Sequence, residues 1–353
     1  MNTKTLVFLL LCLSLFFASC TNDDDGIIAQ PSGDYANGLL ISHEGNFGQG
    51  NASVSYVSYD FQTVENNVFS NVNGTPLGDS AQSIAFDGDL AYIVLNVSNK
   101  IEVVNRYSFE SVATITSGLN NPRYMAIANG KGYVTNWGDG GDATDDYLAV
   151  IDLSNNAITS QVISVEEGPE KIVGDGNRLY VAHQGGFSQN NIVSVIDAMS
   201  NSVSATIEVG DVPNSMQLDA AGNLWVLSGG KPAYTNDETA GKISKINTNT
   251  NTVTSLDFAM TEHPNLLNID NGQVYYYLAG SVYKMDATAI ALPTSAQLTG
   301  LNFYGMLVEN EIVYGLDAVD FSSNGSLNVY DLNTNTEVES IELNIIPGEV
   351  YLN

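Results

Sequence analysis

One phrase recurs along this chain, and its recurrence leaves few folds open. A proline leads an apolar strand, a tight turn follows, and a second apolar strand with a central aromatic closes the phrase. It reads "PRYMAIANGKGYVTNW" at 122–137, "PEKIVGDGNRLYVAHQ" at 169–184, "PNSMQLDAAGNLWVLS" at 213–228 and "PNLLNIDNGQVYYYLA" at 264–279. A second phrase follows each, as in "YLAVIDLSNNAITSQVI" and "IVSVIDAMSNSVSATI". Its Asp or Asn turn marker falls at 60, 105, 152, 197, 247, 286 and 331, which gives seven markers spaced 39 to 50 residues apart. Such a period marks a stack of similar units, each too small to bury its own core.

Each unit reads as four short strands. Apolar and polar residues alternate, and β-branched and aromatic residues are frequent. Asn-Gly, Asp-Gly and Gly-Asn turns join the first two strands, and Asp-x-x-x-Asn turns join the last two. Four strands in about 45 residues predict the blade of a β-propeller. A helical solenoid needs a 3.6-residue period, which is absent. The fold class is therefore all-β, a single seven-bladed propeller over 38–353. Blade one has only three strands of its own, beginning at Leu39, at 53–59 and at 63–69. The closing segment "IPGEVYLN" at 346–353 has the form of "VPNSMQLD". It is expected to supply the missing strand, which removes two open sheet edges.

In such a blade the loop between the second and third strands lies on the same face as the blade-to-blade connections. The hairpin turns lie on the other face and are short and uniform. The second-to-third loops are irregular: "HEGNFGQGNAS" at 43–53, "NWGDGGDATDD" at 136–146, "HQGGFSQNN" at 183–191, "SGGKPAYTNDETAG" at 228–241 and "LDAVDFSSNG" at 316–325. Irregular loops on one face of a regular scaffold point to a functional side. Phe47, Trp137, Phe187, Tyr234 and Phe321 fall in equivalent loops. The connections add Arg123, Tyr124, Lys171 and Tyr304. Asn46, Asn96, Asn136, His183 and Gln184 supply polar groups at or near the ends of second strands. An aromatic, amide-rich bowl is the expected binding site. Trp225 occupies the slot of Tyr133, Tyr180 and Tyr275, so it is expected in the core.

The ends set the context. Lys4 and the apolar run 6–17 have the form of a signal peptide and are short for a membrane span. Phe17-Ala18-Ser19-Cys20 resembles a lipobox. The expectation is cleavage of residues 1–19, lipidation of Cys20 and a tether over 20–37. The tether begins with the acidic run Asp23-Asp24-Asp25, which resembles a surface-export signal. The second cysteine, Cys12, leaves with the signal, so no disulfide is expected in the mature chain. The net charge of −29 makes nucleic acid an unsuitable partner and leaves the lipid as the expected membrane attachment.

The chemistry of sites gives less. His43 and His183 fall in blades one and four, too far apart to share a metal. Asp139, Asp142, Asp145 and Asp146 form an acidic loop suited to calcium, although the spacing is not that of an EF-hand. Glu44, Asp317 and Asp320 lie on the irregular face, and nothing singles out a glycosidase pair among 40 acids. Nucleophile-elbow, zincin and haem-attachment motifs are absent. No catalytic residues and no required cofactor are expected.

The segment "EGNFGQGNASVSYVSYD" at 44–60, with the "VIDLSNN" and "VIDAMSN" hairpins, resembles the YncE-like seven-bladed propeller lipoproteins of Bacteroidetes. "EGNFGQGNAS" resembles the branch of surface lipoproteins that bind corrinoids. That resemblance implies a non-catalytic outer-membrane lipoprotein exposed on the cell surface. It would capture vitamin B12 or cobinamide and pass it to a TonB-dependent transporter, whose barrel such propellers cap. Arg123 or Lys171 would then meet the nucleotide-loop phosphate. The residues alone leave open capture of a glycan or metal chelate, protein docking, and hydrolase or lyase activity.

Overall fold

The computed structural model describes residues 33–353. The signal peptide, Cys20 and most of the expected tether lie outside the described residues. The chain forms seven four-stranded antiparallel sheets. Helix is confined, among the described residues, to Val68–Asn73 and a single 3₁₀ turn at Ala233–Thr235. The innermost strands are Pro347–Leu352, Ala81–Asp87, Pro122–Ala128, Pro169–Asp175, Pro213–Leu218, Asn265–Asp270 and Gly305–Glu309, for blades one to seven in order. Four of them start with proline, a position at a strand end where the missing N–H costs nothing.

Ring closure occurs as expected. Pro347–Leu352 pairs with Gly38–His43, the first strand the chain itself contributes. Arg106 holds this closing strand from blade two. Its guanidinium donates to the Leu352 carbonyl at 3.2 Å and to Asn353 Oδ1 at 2.6 Å, and lies 3.9 Å over the Phe86 ring.

Two boundaries move. The third strand of blade one is only Val64–Glu65, and the apolar run after it is the helix Val68–Asn73. Val68 and Phe69 turn inward there, and Gly74 closes the helix in the left-handed conformation. The propeller also begins before residue 38. Tyr35 is buried edge-on against Tyr56 and Phe109, and its N–H donates to the Tyr107 carbonyl. A residue anchored so is part of the core, not of a tether.

The core is distributed. Seven apolar clusters lie between neighbouring blades, one at each interface including the seam of blades seven and one. Two tyrosines in the repeat slot carry hydroxyls that reach the next blade. Tyr92 donates to Asn156 at 2.6 Å and Tyr133 to Asn201 at 2.7 Å. Both asparagines close Asp-x-x-x-Asn turns in the left-handed conformation, which Asn tolerates. Trp225 is buried, as its slot predicts, with its indole N–H on Asp219.

The innermost strands end their sheets, so their inner edges carry backbone groups without a ladder partner. Side chains of adjacent blades fill that need. Asn268 accepts from Val308 N–H and donates to the Met306 carbonyl. Gln217 does the same across to Ile269, Ser215 accepts from Leu267 N–H, and the Tyr351 hydroxyl accepts from Ile84 N–H. These bonds fix the axis of the ring and so the mouth at its end.

Candidate functional site

The ladders of six blades are irregular at one level. In blade two Ala81 pairs with Leu95 and Ser83 with Val94, so Gln82 is skipped. In blade three Pro122 pairs with Asn136 and Met125 with Val134, so Arg123 and Tyr124 are skipped. Glu170 and Lys171 are skipped in blade four, Asn214 in blade five, Leu266 and Leu267 in blade six, and Gly348 in blade one. A bulge of this kind frees its residue from the ladder and re-aims the side chain. Leu266 illustrates the cost, since it takes the left-handed φ of 57° that a bulky residue avoids.

All the skipped residues line one cavity of about 510 Å³ on the axis, at the irregular-loop face. Every blade contributes to it. Glu44, Phe47 and Glu349 come from blade one, Gln82 and Asn96 from blade two, and Gln184 from blade four. Asn214 and Ser215 come from blade five, Asn265 with the two leucines from blade six, and Tyr304 and Met306 from blade seven. A side lobe of about 360 Å³ shares Gln184, Asn214 and Asn265 with this mouth and extends under Tyr234 and His263.

Charge in the mouth is uneven. All its charged side chains come from blades one, three and four, while Leu266, Leu267 and Met306 make the opposite wall apolar. Arg123 binds Glu170 through two parallel bonds of 2.8 Å, the fork geometry that suits guanidinium and carboxylate. Its face lies 4.2 Å from the Trp137 ring centroid. Lys171 donates to Glu349 and sits 3.9 Å over the Tyr124 ring. Tyr124 donates to the same Glu349 oxygen at 3.1 Å and accepts from Gln82. Burial, with Glu349 close by, holds the Tyr124 hydroxyl well above its usual range. Glu44 is the third carboxylate. Tyr304 donates to its Oε1 at 2.8 Å, and among the described residues no ion pair reaches it. Burial raises its pKa, against the pull of Tyr304 and Arg123.

The expected residues differ in where they stand. Phe47, Asn96, Arg123, Tyr124, Lys171, Gln184 and Tyr304 line the mouth. Phe187 and Tyr234 stand at its rim, 80% and 82% exposed, and Phe47 itself is 81% exposed. Phe321 packs edge-on against Tyr304 at 5.2 Å, and Asn46 donates to the Phe321 carbonyl, so the loops of blades one and seven are joined. Trp137 lies one layer back, its N–H on the Pro169 carbonyl and its ring edge-on to Phe187.

Two residues do not face a ligand. Asn136 is fully buried and spends its amide on Asn120 N–H and the Val134 carbonyl, pinning the loop that precedes its blade. His183 is buried too, with Nδ1–H donating to the Glu166 carbonyl, and burial lowers its pKa to about 4. A register at the end of a second strand thus gives an anchor for the blade-to-blade connection, not a wall of the mouth.

The acidic loop turns its carboxylates on itself. Asp145 accepts from Asp139 N–H, Asp142 from Thr144, and Asp139 from Gly141 N–H. Among the described residues no three His, Cys, Asp or Glu side chains converge as metal ligands would. Asp146 is separate from these turns, buried beneath the Trp137–Phe187 pair, and burial raises its pKa to about 6.

Glu170, Glu349, Gln82, Asn214, Leu266 and Leu267 are mouth residues that the sequence reading passed over. Their signal was present: most are the one or two residues just after the repeat proline, where the phrase varies most in chemistry.

A family model with the description "Domain of unknown function (DUF5074)" matches residues 37–346. No curated protein matches the chain. Among solved structures, a candidate 6-phosphogluconolactonase from Bacteroides fragilis superposes with a TM-score of 0.63 at 13% identity, over 92% of this chain and 99% of that one. Hydrazine synthase of Kuenenia stuttgartiensis gives 0.59 at 16% identity, over 82% and 89%. BamB of Moraxella catarrhalis gives 0.56 at 12% identity, over 92% and 89%. At such identities the likeness speaks for the fold alone.

Proposed function

Because this chain belongs to the DUF5074 family and folds as a seven-bladed propeller, we propose that it is a binding protein whose axial mouth captures a corrinoid without transforming it. One observation carries the reading: a single cavity receives side chains from all seven blades, and bulges in six of the blades open onto it. Strand irregularities aimed at a common point are a feature of ligand sites.

The lining suits such a ligand. A corrin is a broad apolar ring edged with primary amides. The apolar wall of Leu266, Leu267 and Met306 meets the ring, while Gln82, Asn96, Gln184, Asn214 and Asn265 exchange hydrogen bonds with the edge. Burial of a few hundred Å² of apolar surface at about 25 cal/mol/Å² gives several kcal/mol before ordering costs. The exposed rings of Phe47, Phe187 and Tyr234 form the rim, and a cluster of exposed aromatics suits contact with a partner. In this reading the partner is a TonB-dependent outer-membrane transporter, and Cys20 carries the lipid that holds the protein at the cell surface.

Calorimetric titration of the detergent-solubilised full chain with cyanocobalamin and cobinamide tests the capture. Saturable binding at micromolar concentration or below is the expected result. An absence of heat and of any absorbance change at high concentration removes the corrinoid and leaves glycan capture or docking on the same mouth. Labelling with a radioactive fatty acid, lost in Cys20→Ala, checks the anchor.

A further inference from the structure

We propose that Glu44 is the specificity-determining residue of the mouth, receiving an N–H donor of the ligand, a primary amide or an ammonium, and excluding anions. The inference rests on the mouth being the ligand site and goes on to the charge class that it accepts.

The mouth holds three carboxylates against two cations. Both cations are already paired. Arg123 gives its Nε–H and one Nη2–H to Glu170 and its face to Trp137. Lys171 is bound to Glu349 and to the face of Tyr124. A ligand phosphate or carboxylate would compete with Glu170 and Glu349 for these cations and would meet three carboxylates in the same mouth. The phosphate contact suggested by the corrinoid resemblance is therefore disfavoured at this site. Glu44 is differently placed. Tyr304 satisfies one oxygen, and no protein donor reaches the other among the described residues. The groups facing it are Arg123, Tyr304, Glu170 and Glu349. A half-buried carboxylate with an open oxygen in a concave site gains most from a donor brought by the ligand. Burial raises its pKa, and a bound donor favours the ionised form.

The test uses the full chain and cobalamins that differ at one edge group: cyanocobalamin and its monocarboxylates, in which a single side-chain amide is hydrolysed. Wild type is expected to bind cyanocobalamin about tenfold or more tightly than at least one monocarboxylate at neutral pH. Glu44→Gln keeps an acceptor for Tyr304 and is expected to fold normally, yet to lose most of that discrimination. Equal binding of all monocarboxylates, or discrimination unchanged in Glu44→Gln, overturns the inference. If cyanocobalamin itself does not bind, capture of a corrinoid fails. The charge rule is then read from chitosan, chitin and galacturonate oligomers, of which it requires the cationic to bind best and the anionic worst. Binding by none of these probes overturns the charge rule as well.

Discussion

The Arg123–Glu170 pair is mostly buried, with side chains 15% and 6% exposed. Arg123→Ala strands Glu170 without a partner, and we expect it to cost about 3 kcal/mol of unfolding free energy in urea titration. Protonation of His183 acts through the same logic. Burial lowers its pKa to about 4, with the Glu166 and Glu167 carbonyls pulling upward, and lowers that of His43 to about 3. Below the ordinary histidine value of about 6.5 the unfolded chain takes protons that the folded chain refuses. Stability is thus lost as pH falls from there toward 4, and His183→Gln is expected to flatten that loss in thermal melts. Asp146 works in the opposite sense. Its pKa, raised by burial to about 6, makes the folded state the better proton acceptor below that pH. Asp146→Asn is expected to raise the melting temperature at pH 8 and to leave it near wild type at pH 4. At this scale the sequence was half legible. Arg123, Lys171 and Tyr304 were visible as polar or aromatic residues on connections. Asn136 and His183 misled, because a shared register shows where a side chain starts and not whether its neighbours have already satisfied it.

Elements were far easier to read than residues. Strand alternation and turn residues repeat in each unit, and the left-handed Asn156, Asn201, Asn251 and Asn335 each sit four residues after the Asp or Asn that opens the turn. The bulges were not legible, since a ladder that skips one residue has the same apolar pattern before and after as one that does not. Nor was the helix Val68–Asn73, six residues with no charged residue in either end turn. Its apolar start reads as a strand until the packing of Val68 and Phe69 is known. The closing strand Pro347–Leu352 carries the clearest expectation at this level. It pairs with Gly38–His43, bonds to blade two through Tyr351, and is held by Arg106. Removing residues 346–353 leaves blade one without its innermost strand and opens the ring. We expect loss of the single cooperative unfolding transition in calorimetry, whereas a merely frayed tail would leave that transition intact.

At the scale of the whole molecule, a seven-fold repeat makes a rigid ring and frees one face to vary. The interfaces between blades carry the core, so loops and bulges at the mouth are able to change without unfolding the scaffold. The irregular face carries the exposed rings of Phe47, Phe187, Tyr234 and Phe321 around a cavity to which every blade contributes. The metal inside a corrinoid offers a direct way to test whether that mouth is the binding site. Crystals of the chain grown with cyanocobalamin and measured at the cobalt absorption edge would locate the ligand by anomalous scattering. We expect one strong cobalt peak on the propeller axis, in the mouth between Glu44, Tyr124 and Leu266. A peak elsewhere on the molecule, or a chain that binds cobalamin in solution with the mouth empty in the crystal, would contradict it.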